Sequence, residues 1–112
     1  MSNCIFCKIA AGEVPSQVVK KGDGMMAFKD LSPQAPTHVL VIPTTHVASL
    51  NDAKDASLLG KLLAFAREVA LETGVATKGY RVVLNTNPDG GQTVFHLHLH
   101  VLGGRPMKWP PG

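Results

Sequence analysis

Three histidines occupy alternate positions in His96-Leu97-His98-Leu99-His100. On a strand, residues i, i+2 and i+4 share a face. The pattern therefore predicts three imidazoles lined up about 7 Å apart. Leu97, Leu99 and Val101 would face the other way, into apolar packing. An imidazole with an ordinary pKa of about 6.5 is neutral or cationic near neutrality. A neutral ring can attack phosphorus, and a cationic one can bind phosphate oxygens or protonate a leaving amine. Neighbours on one face can also settle each other's tautomers. A lone buried histidine is usually a satisfied polar group, and a His-x-His pair is often a metal site. Three side by side are costly to bury without a chemical task.

Directly before this run stands Asn85-Thr86-Asn87-Pro88-Asp89-Gly90-Gly91-Gln92-Thr93. Glycines let a backbone approach a ligand closely, and successive N–H groups in such a turn can form an anion nest. Gln92 and Thr93 add uncharged donors, and Asn85 adds an amide from the adjacent strand. Such a loop is most often only a turn, but its place beside the histidines favours a phosphate.

Cys4-Ile5-Phe6-Cys7 sets two sulfurs at Cys-x-x-Cys spacing. Zinc, a redox pair and two small apolar residues all remain open. The redox reading lacks a βαβ context, and a tetrahedral zinc site would need two further ligands such as histidine nitrogens.

The elements that must position these groups fit one domain, residues 1–112. A short helix is expected over Cys4–Ala10 and strands over Gln17–Lys21 and Met25–Lys29, with Gly22-Asp23-Gly24 as the hairpin turn. Asp30–Pro36 reads as a loop and Thr37–Ile42 as a buried strand. From about Asp52 to Thr73 the period is 3.6, with Leu59, Leu62, Leu63, Ala66, Val69 and Ala70 on one stripe, widened by Leu58 and Phe65. That stripe exceeds what one sheet face requires and points to a second subunit. Tyr80–Thr86 and Val94–Leu102 complete the strands, and the tail Met107–Gly112 runs extended.

The net charge of +3 is spread rather than gathered in a stripe, so no nucleic-acid partner is expected. No apolar run approaches the roughly 20 residues of a membrane span. The N-terminus has no basic region followed by an apolar stretch, so a cytoplasmic location is expected.

His96-Leu97-His98-Leu99-His100-Val101-Leu102 resembles the signature of the histidine-triad (HIT) superfamily. The Asp30–His38 segment, Gly90-Gly91-Gln92, and the ending from Val101 through Trp109-Pro110-Pro111-Gly112 resemble its Hint branch. The resemblance implies an α+β fold: a five-stranded antiparallel sheet with one long and one short helix. Two subunits would form a homodimer with a continuous ten-stranded sheet. It implies hydrolysis of purine nucleoside 5′-phosphoramidates, with AMP- or GMP-like ligands and no cofactor required for catalysis. His98 then resembles the nucleophile that forms a nucleotidyl-histidine intermediate. His100 would contact phosphate, His96 would orient the cluster, and His38 would support it from the adjacent strand. Asn85, Gly91, Gln92 and Thr93 would hold the phosphate, Thr93 standing where members often have Ser. Asp30 would take the ribose hydroxyls. Leu31 would lie against the base with Phe28, Ile5 or Phe6, for each of which a plain core role fits as well. Trp109 would reach the partner subunit's site. In zinc-bearing branches the ligands correspond to Cys4, Cys7, His46 and His96, all present here, whereas the tail resembles a branch that usually lacks zinc.

A dinucleoside polyphosphate hydrolase of the Fhit type is the alternative enzyme, disfavoured by the Trp-Pro-Pro-Gly tail. A galactose-phosphate-type nucleotidyltransferase would carry Pro at Leu97, and an aprataxin-type enzyme would need a further module. A nucleotide-binding or protein-interaction module with incidental hydrolysis is the non-enzyme alternative.

Overall fold

The computed structural model describes residues 3–112. Met1 and Ser2, which open the segment read for a secretory signal, lie outside them. Helix α1 spans Ile5–Ala10, capped by Cys4, whose sulfur accepts from the Cys7 N–H. Strands β1 (Val18–Gly22), β2 (Met25–Lys29) and β3 (Thr37–Pro43) follow. Helix α2 spans Ala56–Glu72, then come β4 (Tyr80–Val83) and β5 (Leu99–Gly103). The sheet is antiparallel throughout, in the order β1-β2-β3-β5-β4.

Side-chain parity divides this sheet into two working faces. Met25, Ala27, Val39, Val41, Leu99 and Val101 face α2 and pack on Leu62, Phe65, Ala66, Val69 and Ala70. Met26, Phe28, Leu40 and Ile42 face the opposite way and pack on Phe6 and Ile9 of α1. His38 has the parity of Leu40 and is buried. His100 lies opposite Leu40 in the register, so the histidine side of β5 belongs to the α1 face. Leu97, Leu99 and Val101 enter the α2 core as expected.

Three boundaries differ from expectation by three residues or more. The long helix begins at Ala56, because the Asp55 carboxylate caps the Ser57 N–H, and Leu50–Asp52 forms a separate 3₁₀ turn. The last strand begins at Leu99 rather than Val94, because the Leu97 N–H leaves the ladder and donates to Val47 O. The fourth strand ends at Val83 rather than Thr86, where β5 offers no further pairing. Leu63 is 57% exposed, so the α2 stripe is wider than the buried face. Among the described residues, no helix is long and apolar enough to cross a membrane.

Candidate active site

The α1 face of the sheet holds a cavity of about 310 Å³. Ile5, Phe6, Ile9, Val14, Phe28, Leu40 and Val94 make its apolar wall. Asp30, Thr93, His98 and His100 supply polar groups, and the 95% exposed Leu31 stands at its edge.

His98 is buried, and its Nδ1 lies 2.7 Å from the carbonyl oxygen of His96. A carbonyl only accepts, so Nδ1 carries the proton and the lone pair sits on Nε2. Burial lowers the His98 pKa, opposed by the His96 carbonyl and the Asp30 charge. The ring is thus neutral near neutrality, with an unshared pair available for attack. Phe6 stands edge-on to it at 5.1 Å between ring centroids.

His100 lies 5.0 Å from His98, centroid to centroid. Its Nδ1 is 2.9 Å from Nε2 of His38, which pairs diagonally with it across β3 and β5. The Gln34 N–H donates to His38 Nδ1 at 3.0 Å. Asp30 sends one carboxylate oxygen to within 3.4 Å of His38 Nε2 and accepts the Ser32 N–H with the other. Burial, then the neighbouring His98 and His38, pulls the His100 pKa down to about 4. Burial also lowers His38, and the Asp30 charge opposes it.

His96 does not stand in line with the other two. Its Nε2 donates to Pro43 O at 2.8 Å, so the Nδ1 lone pair turns towards Cys4 Sγ at 3.3 Å and Cys7 Sγ at 3.5 Å. His46 Nδ1 lies 3.3 Å from Cys7 Sγ. The four ligand atoms of Cys4, Cys7, His46 and His96 all lie within 4.8 Å of one another. In a tetrahedral zinc site, bonds of about 2.3 Å to sulfur and 2.0 Å to nitrogen place S and N about 3.5 Å apart. The donor set and its spacing fit that ion. Burial, and then the hydrogen bond and charge of Cys4, raises the pKa of the Cys7 thiol. The expectation that the three histidines settle one another's tautomers is corrected. The His98 proton is fixed by a backbone carbonyl, that of His96 by Pro43, and that of His100 by His38. The break in strand regularity before Leu99 is what frees His96 for the cysteines.

The loop ahead of the strand is also built differently from a simple nest. The N–H groups of Gly90, Gly91 and Gln92 bond to Asn87 O, Pro88 O and Asn87 O within the loop. Gln92 is buried; its side-chain oxygen accepts the Asn87 N–H and its amide donates to Ala48 O and Val94 O. Expected as a phosphate donor, it is instead a staple, since both its polar atoms are engaged. It holds Asn87 at φ 62° and ψ 178°, a conformation that costs on the order of 1–3 kcal/mol outside glycine. Asn85 Nδ2 lies 4.0 Å from where a Cβ on Gly91 would be. Of the loop residues expected at the phosphate, Thr93 lines the cavity. Trp109 does not line it and is 83% exposed in a tail tied to Arg81, which donates to Lys108 O at 2.8 Å. Sequence reasoning missed Ile9 on α1 and Leu40, Val94 and Val14 in the wall. The alternation along β3 carried the signal for Leu40, whereas Val94 and Val14 lie in irregular chain with no periodicity to read.

Residues 11–107 match the HIT domain family. The purine nucleoside phosphoramidase of Escherichia coli is 47% identical over 105 residues, 92% of this chain and 88% of that one. A solved HIT family hydrolase from Legionella pneumophila is 52% identical with a TM-score of 0.95, over 98% of this chain and 100% of that one. A zinc-bound histidine triad protein from Mycobacterium smegmatis is 30% identical with a TM-score of 0.82, over 93% of this chain and 76% of that one. With this fold, this histidine cluster and a match over nearly its whole length, the chain belongs to the HIT domain family.

Proposed function

We propose that the protein hydrolyses the P–N bond of purine nucleoside 5′-phosphoramidates through a nucleotidyl intermediate on His98. The observation that carries this reading is the 2.7 Å contact between His98 Nδ1 and His96 O, which leaves Nε2 as a neutral nucleophile. The phosphoramidase name of the Escherichia coli relative supports the substrate class.

The purine would lie against Phe6, Ile9, Phe28 and Leu40, with Leu31 closing over it and Asp30 taking the ribose hydroxyls. Thr93 and His100 would meet the phosphate, with Asn85, Gly91 and Gln92 shaping the loop behind Thr93. His98 Nε2 attacks the α-phosphorus, the P–N bond breaks, and the amine departs with a proton taken from water. The positive charge left on the ring is held by the His96 carbonyl at Nδ1–H. Water then attacks the same phosphorus, breaks the P–N bond to His98 and releases the nucleoside monophosphate, its proton neutralising the hydroxide left by the first step.

Cys4, Cys7, His46 and His96 would hold a structural zinc ion, supported by their mutual distances and the fixed His96 tautomer. That ion would tie α1 to the sheet and take no part in the chemistry. A homodimer is supported by the free edge of β4 and the apolar groove beside it, formed by Leu63, Ala64, Tyr80 and Val82. Pairing of two β4 edges would extend the sheet to ten strands, and Trp109 would then serve the neighbouring subunit's site.

The deciding experiment is hydrolysis of a fluorogenic adenosine 5′-phosphoramidate by wild type and His98→Ala, with a diadenosine polyphosphate as competitor. Rapid phosphoramidate cleavage lost in the variant is expected. Preference for the diadenosine compound would overturn the substrate class.

A further inference from the structure

The proton on His38 is placed by the backbone of residue 34, and residue 34 is gripped from the far end of the chain. The Gln34 N–H points at His38 Nδ1, so neutral His38 carries its proton on Nε2. That proton faces His100 Nδ1 at 2.9 Å, with Asp30 Oδ2 farther away at 3.4 Å. His100 must then hold its own proton on Nε2. Because His100 is neutral near neutrality, Nε2–H is its sole means of donating to a phosphate oxygen. The opposite tautomer would present a lone pair to the oxygen instead.

We propose that Arg105 is a positioning residue that locks this proton arrangement. Its Nε and Nη2 both donate to the Gln34 carbonyl, at 3.1 and 2.8 Å, while Nη1 returns to Pro106 O at 3.0 Å. A planar guanidinium bonded twice to one oxygen fixes that oxygen in direction as well as distance. The turn that delivers Arg105 is pressed against the same loop. Gly104 has φ +92°, and a Cβ there would stand 2.8 Å from Cβ of Pro36. The residues form a ring: β5 carries His100, its exit carries Arg105, Arg105 holds Gln34, Gln34 orients His38, and His38 orients His100. Arg105 does not line the cavity, so it acts through the histidines and not on substrate. Its effect on turnover rests on the phosphoramidase reading, whereas its effect on the His38 proton does not.

The test pairs ¹⁵N NMR of the histidine rings with steady-state kinetics on an adenosine 5′-phosphoramidate, in wild type, Arg105→Met and Arg105→Lys. Wild type is expected to show Nε2–H at both His38 and His100. In Arg105→Met the His38 signals move towards mixed tautomers. The value of kcat falls about tenfold, the size of a charged hydrogen bond, with KM changed by less than about twofold. Arg105→Lys recovers only part, because an ammonium cannot reproduce the fork. An Nδ1–H tautomer at His38 in wild type would overturn the proposal, even if Arg105→Met did not fold. So would a folded Arg105→Met with wild-type ring signals and kcat. Absence of phosphoramidate turnover in wild type would remove the functional reading, and the ring signals would then decide the role of Arg105.

Discussion

The carbonyl oxygen of His96 accepts the Nδ1–H of His98 at 2.7 Å, so the backbone of one histidine fixes which ring nitrogen of another keeps its lone pair. A variant that keeps the shape but lacks Nε2 should separate binding from chemistry. His98→Asn is expected to lower kcat by at least about four orders of magnitude while nucleoside monophosphate affinity changes by less than about tenfold. Isothermal titration beside a turnover assay checks both. Turnover near the wild-type rate would sink the covalent route.

Cys4 Sγ and Cys7 Sγ lie 3.3 and 3.5 Å from Nδ1 of the same histidine. Elemental analysis of protein purified without chelator should give about one zinc per chain, and Cys7→Ser should reduce this to below about a tenth. The loss should reach the cavity, because Phe6 sits between the two cysteines and lies 5.1 Å from His98. Metal-free protein is therefore expected to melt lower and to bind AMP more weakly. Wild type carrying less than about one zinc per ten chains would refute the site.

His38 and His100 are held neutral by burial, and His100 is drawn down to about 4. Their unfolded-state pKa is about 6.5. A base whose pKa is depressed on folding contributes stability above its unfolded value, and that stability is lost as pH falls towards the folded value. The urea midpoint should therefore drop as pH falls from about 6.5 to about 4. His100→Gln should flatten that slope. An equal slope in the variant would show that His100 is not its source.

Gly103 lies against the α2 side of the sheet, where a Cβ would meet Val75 Cβ and Cγ1 at 2.7 Å. Both atoms belong to a stiff β-branched side chain, so the clash cannot be relieved by rotation alone. Gly103→Ala should destabilise the fold by about 1–3 kcal/mol. Val75→Gly removes both contacting atoms, so in that background the added cost of Gly103→Ala should fall close to zero. Chemical denaturation of the two single variants and the double variant tests the pairing, and an undiminished cost of Gly103→Ala beside Val75→Gly would place the strain elsewhere.

Alternation by two makes the sheet's faces legible in the sequence, because Leu97, Leu99 and Val101 can be buried only on the side away from the histidines. The 3.6 period of α2 was readable for the same reason, down to Leu63, which lay on the stripe yet stays exposed. Periodicity could not reveal that the ladder breaks at Leu97, since the Val47 carbonyl that captures its N–H lies 50 residues away in sequence. The separation of His96 from His98 and His100 follows from that break. Gln92 was misread for a related reason: a buried amide bonded to Asn87, Ala48 and Val94 has the same composition as one offered to a ligand.

The exposed Leu63 lines a groove with Ala64, Arg67, Tyr80 and Val82, where α2 meets the unpaired edge of β4. An edge strand with free N–H and C=O groups beside an apolar strip is suited to pairing with another copy. Leu63→Glu would put a charge into that strip without touching the buried face of α2. If two β4 edges join, light scattering should show a dimer for wild type and a monomer for Leu63→Glu, with the variant's circular dichroism unchanged. The tail gives a second handle. Trp109 is exposed on one chain. If it serves the neighbouring site, removing residues 109–112 should raise KM in the dimer and leave Leu63→Glu unaffected. A wild-type monomer that retains full turnover would overturn both the paired sheet and the shared tail.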